Sequence, residues 1–172
     1  MNAVISPCGK YRYRLGRQLS AGPGSPVATV IMVNPSTADA NKDDATIRKL
    51  KVFGERNGWG RLIVGNLFAY RATDVRELGT VSDPVGPEND EHLQAMIDEA
   101  DVLIVAWGPV SKQPKYQRAR WRRLIALTRN RVVYSIGEPA KCGHPKHPLM
   151  LGYSLPLLPW NAPSLLNERK VA

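Results

Sequence analysis

The chain has 172 residues, of which 43% are hydrophobic, so it is long enough for a single domain with a substantial core. Its 24 Lys and Arg against 15 Asp and Glu give a formal charge of +9, which favours a polyanionic partner such as nucleic acid or a nucleotide. The longest apolar runs have the length of a strand, which excludes a membrane-spanning helix, and no secretory signal is visible at the N-terminus, so we expect a cytoplasmic protein.

The first elements in the chain are a predicted hairpin arm and a buried strand. After a turn at residues 6–9, the alternation of residues 11–15 is typical of a half-exposed strand and predicts one arm of a hairpin at the sheet edge. A loop rich in glycine and proline follows at residues 21–26. Residues 27–33 are almost all apolar, which predicts a strand buried on both faces.

The remaining elements alternate between helices and strands. Helical spacing and strand-like apolar runs predict, in order, a helix at 43–57, a strand at 61–66, a loop at 75–87, a helix at 88–100, a strand at 101–107, a basic helix at 115–129 and a strand at 131–136. The proline-rich remainder is predicted to wrap the surface. No linker divides the chain, so residues 1–172 form one predicted domain.

This order predicts an α/β fold. Right-handed crossovers between the strands give a three-layer α/β/α sandwich with a central, mainly parallel four-stranded sheet. In open α/β sheets the ligand site lies beyond the carboxyl ends of the strands. We therefore expect four loops to converge at one edge of the sheet and to bring together the polar and aromatic residues that follow each strand, namely Asn34, Pro35, Ser36, Thr37, Asn66, Phe68, Trp107, Gly108, His144 and His147.

These strand-end residues carry a resemblance to known families. Nearly end to end, the chain resembles an uncharacterised bacterial family with an Asn-Pro-Ser-Thr-Ala-Asp motif, here residues 34–39. More distantly, it resembles the uracil-DNA glycosylase superfamily, whose members have a parallel four-stranded sheet and active-site motifs on the strand-end loops. The resemblance implies a metal-free hydrolase of N-glycosidic bonds that acts on an unidentified base and uses no cofactor.

The resemblance also implies roles for individual residues. In that superfamily, Asp-Pro or Asn-Pro after the first strand positions the attacking water, and Asn34-Pro35 is similar. A strand that ends in Asn reads the Watson–Crick edge of the base, as Asn66 would here. A strand that ends in Trp-Gly, as Trp107-Gly108 does, occurs in some members.

A histidine completes the implied site. The superfamily's His-Pro-x-Pro-Leu loop supplies an imidazole that stabilises charge on the departing base, and residues 144–149 resemble this loop with one residue more. His144 and His147 are therefore both candidates, and we favour His144, which opens the first His-Pro pair. A neutral histidine that donates to a base oxygen acts more strongly in the transition state than in the ground state.

Further residue types suit the same chemistry. Asp39, or one of the aspartates at 43 and 44, could orient water as a general base. Ser36 and Thr37 could hold a phosphate before a helix, and Phe68 could stack on a flipped base. The predicted contacts with a nucleic-acid backbone are basic: Lys115, Arg118, Arg122 and Lys146.

Each assignment has a structural alternative. Asn34 and Asn66 could only close turns, since asparagine tolerates left-handed backbone. Phe68 suits a hydrophobic core equally well, and both histidines suit the bracing of a proline-rich loop. The basic helix is also typical of a solvated surface. Cys8 and Cys142 are too few for a disulfide framework, but with the two histidines they form a candidate zinc site, although their spacing matches no standard zinc motif.

Three functions remain open at this point. The first is the glycosylase-like enzyme on DNA or another nucleic acid. The second is an enzyme that acts on free nucleotides or nucleosides in the same pocket, which the lack of a recognisable intercalating loop favours. The third is a non-catalytic binder of modified nucleic acid. We expect no membrane partner and see no sign of an obligate protein partner.

Overall fold

The computed structural model describes residues 2–22, 24–129 and 131–163. This part of the chain contains seven strands and three α-helices: β1 (Asn2–Ile5), β2 (Arg12–Gln18), β3 (Val27–Met32), α1 (Ala45–Arg56), β4 (Arg61–Asn66), α2 (Asn89–Glu99), β5 (Val102–Val105), α3 (Arg120–Leu127), β6 (Tyr134–Ile136) and β7 (Leu157–Pro159). Short 3-10 helices lie at Val75–Gly79, Val110–Lys112, Lys115–Gln117 and Pro148–Met150. Within the same residues, no helix is long and apolar enough to cross a membrane.

All seven strands belong to one mixed sheet in the order β1-β2-β4-β3-β5-β6-β7. β3 pairs in parallel with β4 and β5, and β5 pairs in parallel with β6. The hairpin of β1 and β2 is antiparallel and adds to β4, and β7 adds antiparallel to β6. The α/β class is confirmed, and the expected N-terminal edge hairpin is present. The sheet, however, is mixed and has seven strands, whereas a mainly parallel sheet of four central strands was predicted.

Helices cover both faces of the sheet, which explains why its central strands are apolar throughout. α1 packs on one face through Ile47, Leu50 and Phe53, which are 0–1% exposed. The other face is covered by α2 and α3, and their apolar side chains form a second cluster with Ile31 and Ile63 of the sheet. Strands that are buried on both faces carry near-continuous apolar runs, as β3 does.

The first two helices lie where the sequence predicted them, but the basic helix is shorter. α3 begins at Arg120 rather than at residue 115. The preceding segment instead bonds to other parts of the chain. The Gln117 side chain donates to the Leu78 carbonyl (2.8 Å), and Arg118 donates to the Gln113 carbonyl (3.2 Å). These contacts favour a short 3-10 turn at Lys115–Gln117 over a continuous helix.

Three further predictions need correction. β6 begins at Tyr134 rather than at 131, because the Arg131 guanidinium bonds the carbonyls of Ile97 and Ala100 at the end of α2. The predicted loop at 75–87 contains a 3-10 helix that is capped by Asp74. The C-terminal remainder does more than wrap the surface, since Leu157–Pro159 forms an edge strand.

The predicted half-exposed strand at 11–15 is part of β2, which is mostly buried and has a bulge. Val4 of β1 pairs with Arg14 and Ile5 pairs with Arg12, so Tyr13 is an extra residue on β2. Arg12 and Arg17 are five residues apart and would point to opposite faces of a regular strand. Because a bulge re-aims the side chains on one side of it, both guanidiniums reach the loop that follows β3.

Arg17 holds this loop to the sheet. Its side chain is 1% exposed, and it donates from Nε to Asp43 Oδ1 (2.7 Å) and from Nη2 to the Asp39 carbonyl (2.6 Å). Burial alone would raise the pKa of Asp43, but the hydrogen bonds and charges of Arg17 and Lys51 outweigh burial and lower it. Asp43 is therefore held ionised against a buried cation.

We expect Asp43→Asn to lower the free energy of unfolding at pH 7 by about 3 kcal/mol, because the buried Arg17 loses its counter-charge. The pKa of Asp43 is lowered by folding, so its contribution is complete above the unfolded value of about 3.9 and is lost as pH falls through the folded value. Urea titrations at several pH values measure this. The exposed carboxylate of Glu91 provides the control, Glu91→Gln, and equal stability of Asp43→Asn and the wild type would contradict the expectation.

Candidate functional site

A cleft of about 700 Å³ opens at the carboxyl edge of the parallel strands. As predicted, the loops after all four parallel strands reach one place. The loops contribute, in chain order, Asn34, Ser36 and Asp44 after β3, Thr73 and Asp74 after β4, Lys112 after β5 and His147 after β6. Arg12 of β2 completes the wall.

The strand order explains why a cleft forms there. From β3 the chain runs through α1 to β4, on one side, whereas from β5 it runs through α3 to β6, on the other side. Adjacent strands whose connections leave in opposite directions open a crevice beyond their carboxyl ends. The loops after β3 and β5 flank this crevice, and both line the cleft.

Arg12 is a buried cation in the cleft wall. Its side chain is 1% exposed, its Nη1 donates to the Ala38 carbonyl (2.6 Å), and its Nε has no hydrogen-bond partner. Burial lowers the pKa of Arg12 to about 10, although the charge of Asp44 opposes this. Among the described residues Arg12 makes no ion pair, so an acceptor or anionic group of a ligand would satisfy it.

Asn34 ties two of the loops together. Its Nδ2 donates to the Ala72 carbonyl (2.7 Å) and to the Pro35 carbonyl (3.1 Å). Both bonds use the amide nitrogen, so its Oδ1 has no donor among the described residues. Asn34 therefore has a structural role and also retains an acceptor at the cleft.

Asp44 caps α1 and lines the cleft at the same time. Its Oδ1 accepts the backbone N–H of Ile47 (2.9 Å), a helix cap worth about 1 kcal/mol. The second carboxylate oxygen is left for other contacts. Of the aspartates that the sequence offered as a general base, Asp44 is the one that the structure brings to the cleft.

His147 is the histidine that lines the cleft. Its Nδ1 accepts the backbone N–H of Leu149 (3.3 Å), so the neutral ring carries its proton on Nε2 and can donate from there. Burial lowers the pKa of His147, and the charge of Lys112 adds to this while Asp44 opposes it. Gly108, at φ 78°, packs beside His147, since a Cβ added at residue 108 would lie 3.4 Å from the Cβ of His147.

His144, which the sequence favoured, lies elsewhere. It is 2% exposed, and its Nδ1 accepts a hydrogen bond from Trp107 Nε1 (3.4 Å). Its ring packs edge-on against Trp121 with 5.4 Å between centroids, and Trp160 contacts both tryptophans. His144 and Trp107 are therefore parts of a buried aromatic cluster and do not line the cleft.

The second strand end is also buried. Phe68 is 1% exposed and packs in the core, as its structural alternative proposed. Asn66 is 1% exposed, and neither its Nδ2 nor its Oδ1 has a hydrogen-bond partner. Asn66 pairs in register with Met32, so their side chains share a face, and Met32 lines the cleft. Asn66 is thus the neighbour of a cleft-lining residue but does not itself line the cleft.

Other predicted residues of the motif lie beside the cleft. Asp39 closes a turn by accepting the N–H groups of Asn41 and Lys42, which lower its pKa. Pro35 is buried and does not line the cleft. Thr37 lines a shallow recess of about 370 Å³, together with Ser36, Arg71, Ala72 and Thr73.

The predicted contacts with a nucleic-acid backbone divide into two groups. Lys115 and Arg118 line a groove next to the cleft. Arg122 is exposed on α3, and its guanidinium lies 5.6 Å from the centre of the Trp121 ring. Lys146 is exposed in the loop after β6. Arg122 and Lys146 line neither the groove nor the cleft.

The structure gives no support to a zinc site. Cys8 is exposed, Cys142 is half-buried, and both thiols are free. In residues 2–22, 24–129 and 131–163, no three His, Cys, Asp or Glu side chains are grouped so that they could hold a metal ion.

Sequence reasoning missed several residues of the cleft, above all Arg12 and Lys112. Arg12 belongs to an alternating Tyr-Arg-Tyr-Arg segment, which is typical of an exposed edge strand. The bulge that turns it inward leaves no mark in the sequence. Lys112 was missed because it lies between the predicted strand at 101–107 and the predicted helix at 115–129, in a segment, residues 110–114, to which no role was assigned.

We expect the pKa of His147 to lie below the ordinary histidine value of about 6.5, because burial disfavours the charged ring. The ring is then neutral at pH 7, and the folded state loses stability as pH falls from the unfolded value toward the folded one. NMR titration of the three histidines measures this, with His147→Gln to assign the signal. A pKa above 6.5 would show a charged ring and contradict the expectation.

Comparison with known proteins places the chain in a family without an assigned activity. Residues 12–149 match the family model described as protein of unknown function DUF1643. Searches of curated proteins and of solved structures found no significant match. The matched segment runs from β2 to the loop after β6 and so contains every element that lines the cleft. The chain belongs to the DUF1643 family of proteins of unknown function.

Proposed function

We propose that this protein is a base-processing hydrolase that cleaves an N-glycosidic bond in nucleic acid or a nucleotide. The observation that carries the proposal is the Asn66 amide, which is buried next to the cleft-lining Met32 with both its donor and its acceptor unpartnered. A carboxamide offers one of each, which matches the amide or imide edge of a nucleobase. Leaving both groups unsatisfied is costly, and a bound base would repay that cost.

His147 supplies the group that acts on the departing base. Bond cleavage leaves the electron pair of the C1′–N bond on the base, which gains negative charge. A neutral imidazole that donates from Nε2 stabilises that charge where it develops. The lowered pKa and the Nδ1 contact with Leu149 keep His147 in this form.

Asp44 and Asn34 act on the attacking water. Water forms the new bond to C1′, and its proton passes to the free carboxylate oxygen of Asp44 as general base. Asn34 Oδ1, which has no donor among the described residues, orients the same water. The carboxylate also stabilises the positive charge on the sugar in an oxocarbenium-like transition state.

The architecture supports the resemblance to the uracil-DNA glycosylase superfamily. The four neighbouring strands β4, β3, β5 and β6 are parallel, and the loops after them line one cleft. Asn34 after the first of these strands, Asn66 at the end of the second and His147 in the last loop stand in the expected order. His147 takes the role that the sequence had favoured for His144.

A free nucleotide is the alternative substrate. The recess beside the cleft brings Arg71 together with the hydroxyls of Ser36, Thr37 and Thr73, a set that suits one phosphate group. Nucleotides, nucleosides and oligonucleotides therefore belong in the same assay.

We expect the purified protein to release a base from at least one member of a panel of oligonucleotides with uracil, hydroxymethyluracil, hypoxanthine or bulky pyrimidines, or from a nucleotide. His147→Gln should lower kcat about 100-fold or more, because it removes the donor to the leaving base. His92→Gln, a change on α2 outside the cleft, is the control. Chromatography of the released base gives the rates. No release from any substrate, with a known glycosylase active in parallel, would refute the proposal.

We expect Asn66→Leu to raise the free energy of unfolding by about 1–3 kcal/mol while abolishing base release, because it replaces two unsatisfied buried groups by an apolar side chain of similar size. Thermal unfolding and the base-release assay measure the two effects. Asn57→Leu, at the exposed end of α1, is the control for an asparagine whose amide has a partner, and it should destabilise, since the Asn57 amide donates to the Phe53 carbonyl (2.8 Å). An active Asn66→Leu variant would contradict the assigned role.

A further inference from the structure

A second groove lies directly beside the cleft. It has a volume of about 670 Å³, and we call it the basic groove; its polar walls are formed by Arg76, Ser111, Lys112, Gln113, Lys115 and Arg118. Asp74, Val75 and Lys112 line both the basic groove and the cleft, so the two are continuous. The cleft and the basic groove each have the volume of a pocket for one small ligand.

The two hollows differ in charge. The basic groove has four cationic side chains against one carboxylate, that of Asp74. In the cleft the cations Arg12 and Lys112 are balanced by the two carboxylates Asp44 and Asp74. The cleft therefore suits an uncharged group such as a base and its sugar, whereas the basic groove suits a run of phosphates.

Gln113 gives the groove an unsatisfied polar group. Its side chain is 3% exposed, and neither Nε2 nor Oε1 has a hydrogen-bond partner. Its backbone carbonyl is held by Arg118 (3.2 Å), which fixes the residue in the groove wall. A buried amide without partners calls for a ligand that donates and accepts, and sugar and phosphate oxygens can do this together.

Tyr116 stands at the rim of the groove. It is the most exposed aromatic side chain in the described part of the chain, at 71%. Its hydroxyl donates to the carbonyl of Gly79, a groove residue (3.1 Å), so the ring is anchored while most of it stays open to solvent. An exposed aromatic ring next to cationic side chains is the combination that binds single-stranded nucleic acid, through base stacking and phosphate contacts.

We propose that the basic groove binds a single strand of nucleic acid by its phosphodiester backbone, next to the nucleotide whose base enters the cleft. Lys115, Arg118 and Lys112 contact successive phosphates, Gln113 contacts the sugar–phosphate oxygens, and Tyr116 stacks on an unpaired base. The assignment of the base to the cleft rests on the proposed function. The substrate is then a polymer rather than a free nucleotide, because a mononucleotide leaves the groove empty.

Binding to unmodified strands tests the groove without any turnover. Fluorescence anisotropy of the full chain is measured with labelled single strands of about 12 nucleotides, one of DNA and one of RNA, at several salt concentrations. We expect at least one strand to bind, with an affinity that falls steeply with salt, and unlabelled nucleoside monophosphate to compete at least about 100-fold more weakly than the unlabelled strand.

Three variants test separately what the charge of Lys115, the ring of Tyr116 and the hydroxyl of Tyr116 contribute to binding. Lys115→Ala should weaken binding and reduce the salt slope by about one. Tyr116→Ala should weaken binding at least about fivefold, whereas Tyr116→Phe keeps the stacking ring and should bind within about twofold of the wild type. Arg56→Ala removes the same charge at the exposed far end of α1 and is the matched control for Lys115→Ala.

Equal loss of affinity in Arg56→Ala and Lys115→Ala would overturn the proposal, because it would show attraction by net charge alone. So would equal binding of Tyr116→Ala and the wild type, or competition by the mononucleotide as strong as by the strand. Strand binding without base release from any substrate would refute the proposed function and leave the groove assignment intact. Base release from free nucleotides without strand binding would refute the groove assignment and leave the proposed function intact.

Discussion

Two buried guanidiniums of one strand hold the loop on which the candidate site depends. Arg12 and Arg17 both belong to β2, and between them they bond the carbonyls of Ala38 and Asp39 and the carboxylate of Asp43. Such an arrangement requires the bulge in β2, since a regular strand would turn one of them away. These contacts hold the segment between Asn34 and α1 against β2.

Much of the fold could be predicted from the sequence because the relevant forces are local. Apolar runs mark β3 and β4, and helical spacing with an aspartate cap marks α1. The failures are tertiary in origin. α3 is shortened because the side chains of Gln117 and Arg118 bond distant or neighbouring carbonyls, and β7 is an edge strand whose short sequence carries no alternation. The spacing of apolar residues predicts which side of one element is buried, but it does not predict hydrogen bonds between elements.

The candidate site was predictable in its place but only partly in its residues. Strand order alone brings the four loops together, which is why they meet where the sequence predicted. Which side chain enters the cleft depends on loop conformation, and two His-Pro pairs three residues apart cannot be ranked from sequence. Packing decides between them: His144 joins a cluster with Trp107 and Trp121, and this leaves His147 beside Gly108 at the cleft.

The buried polar groups without partners link stability to the candidate function. Arg12, whose Nε has no partner, lines the cleft, Asn66 is the neighbour of the cleft-lining Met32, and Gln113 lines the basic groove. All three are at most 3% exposed. A protein selected for stability alone would replace such groups with apolar side chains, since each one costs about 1–3 kcal/mol. Five other described residues also bury an unpartnered polar atom, so burial without a partner does not by itself mark a site. What distinguishes these three is their place: Arg12 and Gln113 line the cleft and the basic groove, and Asn66 is paired with Met32 of the cleft wall. A ligand that spans the cleft and the groove, as we propose, would give Arg12 and Gln113 their missing partners and so offset the cost of burying them.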